Sequence, residues 1–159
     1  MYFFLCYNIF TLGGLMETII QKRIGCYAII IEDNKMALVK KAGGGYKGKY
    51  DLPGGGMDHG EIPTETLHRE CMEEIGCEVE SEELFGVHAV NIKWQMKEDL
   101  IEDLHHIGIL FKVKLKQSTL KEDADGLDSL GAKWIDIKDL TKETTSPFVW
   151  YALEKLGYK

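Results

Sequence analysis

Between Gly55 and Cys77 the chain sets a glycine-dense loop, a charged helix and a helix stop at fixed offsets, and no other stretch constrains it as much. Pro63 suits the first position of a helix, Gly76 suits the residue just past its end, and nothing between them breaks one. Glu70, Glu73 and Glu74 then lie at i, i+3 and i+4. At 3.6 residues per turn this gathers three carboxylates on one face within roughly 6 Å of rise. Leu67 and Cys71, again at i and i+4, offer the opposite face to a core.

Like charges so close repel, and a globular chain tolerates them where a cation neutralises them. Carboxylate oxygens with no accompanying His or Cys set favour Mg²⁺ or Mn²⁺ over zinc. The ordinary fate of a Glu-rich helix is a solvated charged face. Such a face needs no loop Leu52-Pro53-Gly54-Gly55-Gly56-Met57-Asp58-His59-Gly60-Glu61 ahead of it, no Arg69 before the first Glu and no Gly76 after the last. Glycines in that loop let backbone groups approach a ligand closely.

The order Gly55-x5-Glu61-x7-Arg69-Glu70-Cys71-x-Glu73-Glu74-x-Gly76-Cys77 resembles the signature of the Nudix hydrolases, which cut nucleoside diphosphates linked to another group. All seven fixed letters are present; at ordinary residue frequencies a given window matches by chance on the order of once in a hundred million. The departure is that Cys71 and Cys77 stand at apolar positions, where reduced cysteines behave as small hydrophobes. The resemblance implies that Glu70, Glu73 and Glu74 hold Mg²⁺ or Mn²⁺ together with the main-chain carbonyl of Gly55. It implies that Glu61 and Arg69 pair to keep loop and helix in register, and that Glu70 is the first choice of general base. Many family members add an acid about six residues ahead of a late Trp. That offset from Trp134 is Asp128, with Glu122, Asp123 and Asp125 as competitors.

Just upstream, Gly43 to Lys49 satisfies the G-x4-G-K part of a P-loop, but Tyr50 stands where the magnesium-binding Ser or Thr belongs and no helix can follow Asp51-Leu52-Pro53-Gly54. The stretch reads instead as a loop whose lysines, with Lys40 and Lys41 before it, reach substrate phosphates, or as a plain solvated connection. Lys41 and Lys49 are the candidate phosphate contacts and Trp94 the candidate for stacking a base, against packing as its commoner role. His88, His105 and His106 read as structural or solvated.

A formal charge of −7 argues against a groove that holds nucleic acid by its phosphates. Cys6, Cys26, Cys71 and Cys77 have neither zinc-like spacing nor the density of a disulfide scaffold, so a reducing cytoplasm is expected. Residues 1–15 are apolar and aromatic, lack a basic start and a cleavage site, and are short for a membrane span. The expectation is an extension upstream of a natural start at Met16, with the Nudix domain over 16–159 and no membrane partner.

Cys26 to Ile31 and Met36 to Lys41 flank the turn-rich Glu32-Asp33-Asn34-Lys35, which predicts a hairpin. Leu84 to Ile92, His106 to Leu115 and Ala132 to Ile137 are further strands. Ser146 and Pro147 open a last helix that carries Val149, Ala152, Leu153 and Leu156 at helical spacing to Gly157. The pattern is one α/β domain, and the resemblance implies a mixed β-sheet between α-helices, the Nudix fold. The implied reaction is metal-dependent hydrolysis of a phosphoanhydride in a small nucleotide, by a monomer or a homodimer. Small size and the lack of an added N-terminal domain favour a nucleoside triphosphate such as oxidised dGTP over nucleotide sugars, ADP-ribose or dinucleoside polyphosphates. The rival classes are a silent nucleotide-binding regulator, an isoprenoid diphosphate isomerase on the same fold and a purely structural acidic domain.

Overall fold

The computed structural model describes residues 17–123 and 129–159; the apolar segment 1–15 and the candidate acids Asp125 and Asp128 lie outside these. Among the described residues, eight strands form two sheets, packed with two α-helices. Strands β1 (Glu17–Ile29), β5 (Gly54–Gly56), β6 (Val79–Lys97) and β7 (Leu100–Leu115) form one sheet in the order β5-β1-β7-β6. Within it β1 runs parallel to β7, while β5 against β1 and β6 against β7 are antiparallel. In a second sheet β3 (Lys35–Lys41) pairs with β2 (Ile31–Glu32), β4 (Tyr50–Asp51) and β8 (Ser129–Asp136), all antiparallel.

The hairpin expected around Glu32 to Lys35 is present. Asp33 and Asn34 both take positive φ, 46° and 60°, as a two-residue turn of the twist-matched type requires. The strands run longer than the sequence pattern suggests. Residues 17–25 alternate poorly, yet they are held in β1 by pairing with residues 100–108 of β7. Long-range pairing overrides local pattern here.

Helix α1 (Pro63–Glu70) begins at Pro63 as expected, and the Glu65 carboxylate accepts the otherwise orphaned Ile62 N–H at 3.0 Å. Its continuation differs from a uniform α-helix: Cys71–Ile75 form a π-helical turn. Gly76 closes it in the left-handed region, φ 67°. Leu67, Cys71 and Ile75 pack with Cys26, Ala28, Phe111 and Val113 of the first sheet and Val39 of the second, all on one side. On the other face α2 (Pro147–Lys155) buries Phe148, Val149, Ala152 and Leu153 against Tyr27, Leu38, Leu52 and Leu110. Burying both faces of β7 produces the helix-sheet-helix layering. Among the described residues no helix is long and apolar enough to cross a membrane.

Candidate functional site

The glycine loop reaches the helix through β5, which pairs with β1 so that Cys26 lies opposite Gly55. A Cβ on Gly55 would stand 2.5 Å from Glu70 Oε1. Only glycine lets the main chain lie that close to the carboxylate. Arg69 ties the two segments together. Its Nε donates to Glu61 Oε1 at 2.7 Å and its Nη2 to Glu61 Oε2 at 2.9 Å, a bidentate pair. Nη2 also donates to the Gly56 carbonyl at 3.1 Å, and Nη1 donates to Glu70 at 2.7 Å and Glu73 at 3.3 Å. Glu61 accepts two further bonds, from the Thr66 hydroxyl at 2.6 Å and the Asp58 N–H at 2.9 Å. The Arg69 and Thr66 bonds, with the Asp58 N–H, hold its carboxyl down to about 2.

The three box carboxylates differ in exposure. The Glu73 side chain is 60% exposed, while those of Glu70 and Glu74 are 12% and 9% exposed. Burial raises the Glu70 carboxyl above its ordinary value, opposed by the Arg69 hydrogen bond. Glu74 is pushed up to about 7 by burial, against the pull of Lys41 and of a main-chain N–H. That N–H belongs to Gly54 and donates to Glu74 Oε2 at 2.9 Å, while Lys41 Nζ donates to Oε1 at 3.3 Å. Cys26, Cys71 and Cys77 are buried thiols outside any disulfide. Burial pushes Cys26 up to about 11 and Cys71 up to about 12.

Among the described residues, no three His, Cys, Asp or Glu side chains stand together in the arrangement of a bound ion. Arg69 gathers Glu70 and Glu73, and Lys41 holds Glu74. The donor set still fits a hard divalent cation, because Glu70, Glu73, Glu74 and the main chain at Gly55 offer oxygen alone and the glycine cradle keeps that backbone against Glu70.

Of the candidate substrate contacts, only Lys41 is at the box. Lys49 turns to the opposite face, where its ammonium donates to the carbonyls of Lys142 at 3.4 Å and Thr145 at 3.3 Å. There it lines a cavity of about 360 Å³ beside the start of α2. The Trp94 indole N–H donates to the buried carboxylate of Glu102, and Gly45 lies over its ring, so Trp94 packs beneath the glycine-rich loop. His88 stacks on Tyr151 with ring centroids 3.9 Å apart. His106 is buried between two tyrosines, its Nε2 2.6 Å from the Tyr27 hydroxyl and its Nδ1 3.0 Å from that of Tyr46. Sequence reasoning missed Gly54, Gly56 and Thr66 as partners of the box; each acts through a main-chain group or a hydroxyl, which residue type alone does not reveal.

Residues 21–156 match the model of the NUDIX domain, and the chain belongs to that family. It is 32% identical over 114 residues to the ADP-ribose pyrophosphatase of Methanocaldococcus jannaschii. That match takes in 72% of this chain and 62% of the relative, so the chain spans under two thirds of that protein's length. Among solved structures it resembles the MutT NUDIX hydrolase of Burkholderia pseudomallei with a TM-score of 0.57 at 24% identity, over 84% of this chain and 97% of that one. A NUDIX hydrolase of Nitrosomonas europaea gives 0.57 at 19% identity, over 86% and 89%. At these identities the structural likeness speaks to the fold.

Proposed function

We propose that the chain hydrolyses a phosphoanhydride bond of a nucleoside diphosphate derivative with Mg²⁺ or Mn²⁺, and that ADP-ribose is the first substrate to test. The observation that carries the reaction class is the joined unit of Gly55, Glu61, Arg69 and Glu70, in which a bidentate ion pair clamps a glycine loop onto an acidic helix. The activity for which the Methanocaldococcus relative is named moves the preferred substrate from a nucleoside triphosphate to a nucleotide linked to a sugar.

Glu70, Glu73 and Glu74 would hold the metal with the Gly55 carbonyl, and Asp128 is the candidate for a further ligand. When bound, a divalent ion neutralises diphosphate charge and acidifies water. Glu70, buried and oriented by Arg69, would take the proton of the attacking water. Arg69 remains an organiser, its donors committed to Glu61, Glu70, Glu73 and Gly56. Water added across the anhydride of ADP-ribose yields AMP and ribose 5-phosphate.

The test is a panel of ADP-ribose, nucleotide sugars, oxidised dGTP and dinucleoside polyphosphates with Mg²⁺ or Mn²⁺. Turnover of ADP-ribose above the others is the expected result. Turnover of oxidised dGTP alone would return the assignment to a triphosphate, and no turnover with either metal would refute the hydrolase reading.

A further inference from the structure

The first strand is covered along one edge and open along much of the other. β7 pairs with β1 from Glu17 to Ile29 without a break in register. On the far edge β5 meets only Gly25, Cys26 and Tyr27, and just before them the Ile24 carbonyl accepts the Met57 N–H at 3.1 Å. Among the described residues, no strand pairs with residues 17–23 on that edge.

Alternation fixes which groups stand there. In a strand the N–H and C=O of one residue point to the same side and those of the next residue to the other. The Ile24 carbonyl is turned away from β7, as is the Ala28 N–H, which donates to the Pro53 carbonyl at 2.8 Å. The Glu17 N–H is turned the other way and donates to the Asp99 carbonyl at 2.7 Å. Even-numbered residues therefore present both main-chain groups to the edge, and ahead of Ile24 these are Thr18, Ile20 and Lys22. An open row of this kind is a template for another strand.

A second copy of β1, laid antiparallel about a two-fold axis at Ile20, matches this row. Ile20 meets the partner's Ile20 and Thr18 meets the partner's Lys22, so all three open positions become hydrogen-bonded pairs. Ile20, 47% exposed in the single chain, is then covered by its own copy. The same register sets Glu17 opposite the partner's Arg23, both exposed, at a non-hydrogen-bonded position where side chains stand closest. Moving the axis to Gln21 sends Thr18 to Ile24, whose carbonyl is already taken by Met57, and Glu17 to Gly25, which is paired with Gly56. Moving it to Ile19 sets Glu17 against the neutral Gln21. Charge complementarity and the free hydrogen-bonding groups thus select one register.

We propose that the open edge of β1 is a dimer interface, where a second copy of this chain adds its own residues 17–23 to the sheet with Ile20 on the two-fold axis and Glu17 paired with the partner's Arg23. The partner strand shares the edge that β5 occupies and ends beside Met57, at the glycine loop. The rival role for Lys22 and Arg23 is to keep copies apart, a common use of charge on edge strands. The two differ in the sign of one measurement.

That measurement is sedimentation of the full chain from micromolar to several hundred micromolar. The mass should rise from one chain to two, since a contact this short belongs with the weaker specific interfaces. Arg23→Glu and Glu17→Arg should each weaken association roughly tenfold, because each sets like charges opposite one another at both ends of the contact, and the double reversal should restore it. Ile20→Pro should abolish it, since proline removes an N–H that only the partner uses and is tolerated on an edge strand. Circular dichroism checks that this variant folds, and the charge reversals decide alone if it does not. One-chain mass at every concentration would overturn the proposal, as would a dimer indifferent to the single reversals or a double reversal that regains nothing. Tighter association of Arg23→Glu would show that the charges guard the edge, and the proposal would fall.

Discussion

The two faces of the central sheet solve opposite problems with polar groups. On the α1 side, Arg69 pairs with Glu61, Glu70 and Glu73 and Lys41 with Glu74, the Arg69 and Lys41 side chains being 27% and 12% exposed. On the α2 side, His106 sits between Tyr27 and Tyr46 with the Phe148 ring 4.8 Å away, and the Ser146 hydroxyl donates to buried Asp51 at 2.5 Å. The first arrangement is a set of ion pairs, one of whose carboxylates, that of Glu73, is 60% exposed. The second is shut in by packing and by bonds that leave nothing to exchange, as expected of groups that specify a core. In the proposed reading, chemistry and stability thus lie on opposite sides of β1 and β7.

The sharpest way to break that contrast is Glu70→Gln. The amide keeps the shape of the side chain but cannot take a proton. Turnover should fall about 100-fold or more, with the thermal midpoint moved by no more than a few degrees. The buried carboxylate is already disfavoured by desolvation, so its neutralisation costs the fold little. A Gln protein that turns over normally would remove the chemical half of the comparison.

What the sequence revealed follows the same division. Pro63, Gly76 and the spacing of Glu70, Glu73 and Glu74 are local signals, and the box helix starts and stops where they indicate. The turn at Asp33 and Asn34 and the Ser146-Pro147 helix start were legible for the same reason. The π turn was not, because its hydrogen-bond pattern is chosen by what the helix end packs against, and neither was the burial that separates Glu74 from Glu73. The α2 network was invisible, since His106 finds Tyr46 and Tyr27 across 60 and 79 residues and Ser146 finds Asp51 across 95. Lys41 and Lys49, eight positions apart at the two ends of one glycine-rich stretch, read alike and lie on opposite faces.

Acid should expose the α2 face at a pH where the box pair still holds. Burial lowers the His106 pKa from 6.5 to about 3. A histidine whose folded value is depressed binds its proton better in the unfolded chain, so stability is complete above about 6.5 and is lost as pH falls towards 3. The Glu61 carboxyl, lowered to about 2, contributes stability above its unfolded value near 4.5 that is lost only as pH falls from there towards 2. Chemical denaturation of His106→Asn between pH 7 and 4 should show a flatter slope than the wild type, while Glu61→Gln should leave that range largely unchanged and flatten the slope below 4.5. Equal slopes in wild type and His106→Asn would mean the histidine is not a buried neutral group.

The smallest effect tests the α2 face alone. Ser146 caps α2 by accepting the Val149 N–H at 3.3 Å and, fully buried, donates to Asp51, which also accepts the Leu52 N–H at 2.9 Å. Replacing a capping serine by alanine costs about 1 kcal/mol, and depriving a buried carboxylate of one donor adds about as much again. Ser146→Ala should therefore unfold about 2 kcal/mol more easily in urea, with kcat and KM unchanged because no box residue touches it. A change in kcat larger than the change in stability can explain would show that strain at the start of α2 crosses the sheet through β4 and the glycine-rich loop to Lys41, and the two faces would then have to be treated as one coupled unit.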